Sequence, residues 1–287
     1  MRILGDLRDG VGESPVWTPD DGLIWSVDIT GKRLVTRDLA TGATQTHATH
    51  DLPTALALDG AGGAIVSFAK GVGYWHGTQL SAIKMIEDAP TMRLNEAACD
   101  PAGRFWVTSM DNNLTDDLKP RRQTQACGRL YRLDDGKATP LTAREFGIPN
   151  TMVWSPAGDL FYLGDSARNT IWVWDYDAAT GDISNRRVHV SGGPGVPDGS
   201  CVDADGYLWT ARFGAGLVIR YDPNGKPDRE ITVPAQNPTA TTFAGGDLST
   251  LIVTSARFGM DAPQDADGAM FAVDVGVTGL APHLYQA

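Results

Sequence analysis

One unit recurs six times along this chain, and a radial arrangement is the fold that lets all six copies act together. Each unit has an apolar anchor, a turn and a second apolar strand. The anchors are Trp17, Leu58, Cys99, Trp154, Val202 and Phe243. Turns such as Asp100-Pro-Ala-Gly103 and Asp203-Ala-Asp-Gly206 follow them, then strands such as Arg104-Phe-Trp-Val-Thr108 and Tyr207-Leu-Trp-Thr-Ala211. Successive anchors stand 41, 41, 55, 48 and 41 residues apart, near the ~40–50 residues of a propeller blade. Four residues before each anchor an oxygen-bearing side chain recurs: Glu13, Thr54, Asn95, Asn150, Asp198 and Thr239.

Each unit continues into a third strand, such as Arg33-Leu-Val-Thr-Arg-Asp38, and then a hairpin-type turn, such as Ala40-Thr-Gly42 or Pro223-Asn-Gly225. A weaker fourth strand follows, as at Arg187–Val190 and Glu230–Val233. Short antiparallel strands, polar turns and no helical period predict an all-β fold, a six-bladed β-propeller. Six such units occupy residues 1–287, which predicts one domain without a linker. Ring closure removes exposed sheet edges, and Arg2-Ile-Leu4 is expected to complete the last blade beside the C-terminal strands.

The net charge of −11 argues against nucleic acid or an anionic membrane as partner. No apolar stretch reaches the ~18 residues of a membrane span, and the start lacks a signal-peptide core, so cytoplasmic residence is the expectation. The sequence does not specify an oligomeric state. Three cysteines without metal spacing do not form a disulfide framework; Cys99 and Cys201 read as buried thiols on inner strands.

The column carries the chemistry. In a propeller the first strand of each blade lines the central channel, so the column side chains meet at one mouth. Two carboxylates aimed at one axis repel unless a cation or proton lies between them. Glu13, Asp198 and the amide oxygen of Asn150 therefore predict a hard, all-oxygen divalent-cation site. Calcium suits those ligands best, with magnesium, manganese, zinc or iron compatible. Thr54 and Thr239 read equally well as hydrated bystanders. Asp28 and Asp165 recur after the second strand and are expected to form turns. No histidine falls in the column, no Gly-x-Ser-x-Gly elbow exists and no phosphate-cradling loop precedes a helix. A hydrolase built on this chain has metal, carboxylate and water to work with.

With Gly12-Glu-Ser-Pro-Val-Trp17, Arg93-Leu-Asn-Glu-Ala-Ala-Cys-Asp-Pro-Ala-Gly-Arg104, Pro149-Asn-Thr-Met-Val-Trp-Ser-Pro156 and Pro197-Asp-Gly-Ser-Cys-Val-Asp-Ala-Asp-Gly206 in order, the chain resembles the senescence-marker-protein/gluconolactonase/luciferin-regenerating-enzyme family over essentially its full length. The resemblance implies one divalent metal on Glu13, Asn150 and Asp198. It also implies substrate contacts from Arg93 and Asn95, extended here to the adjoining Glu96, and lactone hydrolysis as the commonest activity. The chain departs from the family pattern in reading Asn95-Glu96-Ala97 for Asn-Asp-Gly and Asn150-Thr151 for Asn-Gly. An acidic substrate contact of some members falls near Thr124.

The leading expectation is metal-dependent hydrolysis of a sugar lactone to its aldonic acid, with Asp198 as the catalytic carboxylate taking a proton from water. A phosphotriesterase-like hydrolase on the same metal, or a calcium-binding regulatory propeller without turnover, are the alternatives. The segment from Asn112 to Ala126 accounts for the longer third unit. It is expected to form a polar lid over the mouth, with Asp116, Asp117, Arg121, Arg122 and Thr124 its functional residues.

Overall fold

A computed structural model describes residues 1–87, 89–134 and 136–286. Six small antiparallel sheets form the ring of a six-bladed propeller. The first blade pairs Gly12–Thr18, Leu23–Asp28, Arg33–Asp38 and Thr44–Ala48 in order. The second begins with Pro53–Leu58 and ends in two short strands, Gln79–Leu80 and Lys84–Met85, that both pair with Gly71–His76. Met92–Cys99, Pro149–Trp154, Val196–Val202 and Pro238–Ala244 begin the remaining four. In the sixth, Arg2–Ile3 pairs with Phe271–Asp274, so the two ends of the chain share one sheet. The N-terminal residues take the place expected of them, and Leu4 beside them is fully buried.

Inner strands form each blade's first layer, largely buried, with polar side chains where they meet the channel mouth. Pro53–Leu58 is buried at every residue. The large aromatics fill the wedges between sheets: Trp106 is fully buried and lies edge-on to Trp154 at 5.4 Å between ring centres. Its indole nitrogen donates to Asp100 Oδ2 at 2.9 Å, and Trp209 makes the same bond to Asp203 at 2.9 Å. Asp100 and Asp203 occupy the first turn position of their blades, where their other oxygens accept backbone N–H groups of the turn. One residue thus shapes the turn and satisfies the buried tryptophan that the next strand carries.

The far mouth of the channel is crossed by the C-terminal tail. Ala204 donates to the Thr278 carbonyl, while Tyr285 and Gln286 donate to the carbonyls of Leu58 and Gly103. The tail therefore spans from the fifth blade to the second and third. At Gly279 any Cβ would fall 2.0 Å from the Phe243 ring, so only glycine fits there. Among the described residues, no helix is long and apolar enough to cross a membrane.

Candidate metal and substrate site

Each inner strand breaks register at the column. The ladder slips between Glu13 and Val16, Pro53 and Ala55, Leu94 and Ala97, Asn150 and Met152, Pro197 and Ser200, and Pro238 and Thr241. A bulge inserts an unpaired residue and re-aims the side chain beside it. Ser14 and Thr151, which follow Glu13 and Asn150, sit at φ of 50° and 49°, a left-handed conformation that costs a non-glycine residue about 1–3 kcal/mol. Thr151 is held there by donating to the Asp198 carbonyl. After Asp198 the bulge residue is Gly199, where a Cβ would lie 2.5 Å from that of Ala240.

Glu13, Asn95, Asn150, Asp198 and Thr239 all line one cavity of about 290 Å³ at this mouth. Asn150 and Asp198 are buried, and Glu13 is half-buried with its remaining exposure toward the cavity. Burial raises both carboxyl groups well above their ordinary range; the charges of Asp198 and Glu96 push Glu13 further, and that of Glu96 does so for Asp198. Arg93 is the nearby positive group, and burial lowers its guanidinium to about 10. One arginine facing several repelling carboxylates leaves the cluster short of positive charge.

The amide orientations are fixed by a directed chain. Arg93 donates to Asn113 Oδ1 at 2.9 Å and to Asn95 Oδ1 at 2.7 Å. Asn95 Nδ2 donates to Asn150 Oδ1 at 2.8 Å and to the Pro149 carbonyl at 2.9 Å. Asn150 Nδ2 donates to Ser166 Oγ at 2.8 Å, and Ser166 donates to the Pro197 carbonyl at 2.6 Å. Asn150 Oδ1 thereby keeps one lone pair open in the cavity that Glu13 and Asp198 also line. Among the described residues no three His, Cys, Asp or Glu side chains are arranged to hold a metal ion. The candidate set instead needs its amide oxygen, and two carboxylates with one oriented amide suit a hard divalent cation.

Other expectations are corrected. Glu96 does not line this cavity. The bulge between Leu94 and Ala97 turns it into a second cavity of about 160 Å³ lower in the channel, closed by Leu280, Pro282 and His283 of the tail; burial there pushes its carboxyl up to about 7. The polar lid is also absent as drawn. Asp116, Asp117, Arg122 and Thr124 are exposed and none lines the cavity. Arg121 is pinned to Asp111 at 3.0 Å, which also accepts from Thr124 at 3.1 Å. What this segment brings to the mouth is Asn113 and the buried Leu114, packed with the core of the first two blades. Thr54 bonds Ser67 at 2.6 Å and Thr239 donates to the Gly12 carbonyl, so both tie strands together. Asp28 and Asp165 form turns as expected: Asp165 accepts from Gly147, Ile148 and Ala167.

A family profile described as the SMP-30/Gluconolactonase/LRE-like region matches residues 11–257. The chain belongs to this family. A regucalcin from Danio rerio is 33% identical over 288 residues, covering 97% of this chain and 95% of the relative. The pentonolactonase XacC of Haloferax volcanii is 33% identical over 287 residues, covering 94% and 92%. A crystal structure of a calcium-binding protein, regucalcin, from Agrobacterium tumefaciens superposes with a TM-score of 0.90 at 30% identity, covering all of this chain and 97% of that one. In this SMP-30/gluconolactonase-like chain, Ser166 and Asn113 line the candidate cavity and were missed by sequence reasoning. Ser166 follows the turn-forming Asp165, whose repetition drew attention away from its neighbour. Asn113 sits in a segment that read as merely polar.

Proposed function

We propose that this protein hydrolyses a sugar lactone to the corresponding aldonic acid at the mouth where Glu13, Asn150 and Asp198 converge, with one divalent cation bound there. The observation that carries the proposal is the pair of buried, repelling carboxylates that line one cavity with an amide whose oxygen keeps a lone pair open. The similarity to a pentonolactonase supports the chemistry, and the similarity to a regucalcin described as a calcium-binding protein supports the cation.

When bound, a divalent cation supplies Lewis acidity toward the lactone carbonyl. Glu13, Asn150 and Asp198 would hold it. Asp198 also accepts a proton from the attacking water, and returns it to the ring oxygen as the ester bond opens. Arg93 donates to the substrate's hydroxyl oxygens and Asn95 Oδ1 accepts from a hydroxyl, which fixes the carbonyl near Asp198, so the water meets an oriented electrophile. The bulge residues keep the two carboxylates from relaxing apart.

A pH-indicator assay across pentono- and hexonolactones, with an aryl organophosphate triester and a simple aryl ester as controls, tests this function. Turnover of lactones well above the controls is expected. Faster hydrolysis of the triester, or calcium binding with no lactone turnover, would refute the assignment.

A further inference from the structure

The polar groups at the mouth that stay open to a ligand are few, and that limits which lactone fits. Several polar residues that line the cavity are already committed: Ser166 to the Pro197 carbonyl, Thr239 to that of Gly12, and both amide hydrogens of Asn95 to Pro149 and Asn150. Beyond the proposed cation ligands, what remains for a ligand is the second hydrogen of Arg93 Nη2, the open lone pair of Asn95 Oδ1 and the Nδ2 of Asn113 from the third blade, with the hydroxyl of Thr30. The rest of the wall is hydrocarbon. Val11, Ile29, Leu114 and Phe258 form one flank, continuous with the core of the first two blades. Ile148, Val196 and Phe213 form the other. These residues sit at or just beyond the outer ends of strands, so they enclose the part of a ligand farthest from the column.

We propose that the preferred substrate is a deoxyaldonolactone: hydroxylated beside the carbonyl, where Arg93, Asn95 and Asn113 can bond it, and ending in a methyl or short alkyl group held between Phe213 and Phe258. This rests on the lactonase assignment above and narrows it. A hydroxyl placed against this wall loses its water and gains no partner. A methyl group there gains from burial instead. A hydrocarbon pocket rejects an added hydroxyl by at most about a hundredfold, so the preference is bounded from above.

L-Fuconolactone and L-galactonolactone form a matched pair, differing only in a terminal methyl against a hydroxymethyl group. The calcium-loaded protein should show kcat/KM about 10- to 100-fold higher for the deoxy member. Phe213→Asn and Phe258→Asn, which offer a partner to the extra hydroxyl, should each shrink that ratio. Equal or reversed preference in the wild-type protein overturns the proposal, as does an unchanged ratio in both folded variants. Calorimetric binding of the two product aldonates separates this claim from the activity itself. If neither lactone is turned over, the lactonase assignment fails, and tighter binding of the deoxy acid would still uphold the shape of the pocket while equal binding would refute it.

Discussion

Asn150 shows how much of a site can depend on a residue that touches no ligand. Its side-chain amide could present nitrogen or oxygen to the cavity, and two bonds decide for oxygen: Nδ2 donates to Ser166 Oγ, and Oδ1 accepts from Asn95 Nδ2. Second-partner hydrogen bonds of this kind are typically worth 10- to 100-fold in metal affinity. Ser166→Ala should therefore weaken calcium binding by about that factor, with little change in thermal stability; titration calorimetry reads the first and a melting curve the second. Affinity within about twofold of wild type would remove Ser166 from the site. The column residues Glu13, Asn150 and Asp198 were legible in the sequence because identical repeats present different side chains at one position. Ser166 was not, because serine after a turn aspartate has an ordinary explanation and its partner lies 16 residues away in sequence. Glu96 was misplaced for a related reason: strand alternation cannot anticipate a bulge, and one inserted residue sends the next side chain to another part of the channel.

At the level of strands and loops, polarity misled where packing decided. The segment from Asn112 to Ala126 is charged in its middle, which predicted a lid, yet its contribution to the mouth is made by Asn113 and Leu114 at its start. Asp116, Asp117 and Arg122 stay in water, while Arg121 bonds Asp111. Outer strands carry a different consequence. His189, on the fourth blade's outer strand Asp182–Ser191, packs edge-on against Tyr162 at 5.0 Å, and burial holds its imidazole down at about 4. In the unfolded chain the ring takes its proton near pH ~6.5. Its neutral form thus favours folding fully above about pH 6.5, and that contribution is lost as pH falls toward about 4. His189→Gln should flatten this slope. Urea midpoints for both proteins, compared at about pH 7.5 and pH 5 in the presence of chelator, should converge at the lower pH; a constant gap would show that His189 does not titrate as its surroundings imply.

Across the whole molecule the architecture follows from one requirement, that six sheets close into a ring without an exposed edge. The repeat spacing made the blade count readable, and the N-terminal strand supplied the closure that the C-terminal blade lacked. Leu4, buried at that seam and bonded through its backbone to Met270, should matter beyond its size: Leu4→Ala is expected to cost about 2–5 kcal/mol, visible as a lower urea midpoint with the slope unchanged. An effect below about 0.5 kcal/mol, the scale of surface substitutions, would mean that the seam does not hold the ring. The tail across the far mouth was not foreseen, since its short apolar residues gain meaning only once the channel beneath them is known. The closed ring brings side chains from blades far apart in sequence to one axis, and the claim that matters most is that Glu13, Asn150 and Asp198 act there together on a lactone. It is tested most directly by following lactone hydrolysis in chelator-treated protein, before and after calcium is returned, beside Asp198→Asn. The account predicts no turnover without the cation, recovery on its return, and a loss of about 10²–10⁴ in the variant at an unchanged melting temperature; full turnover after chelation, or a variant within about threefold of wild type, would contradict it.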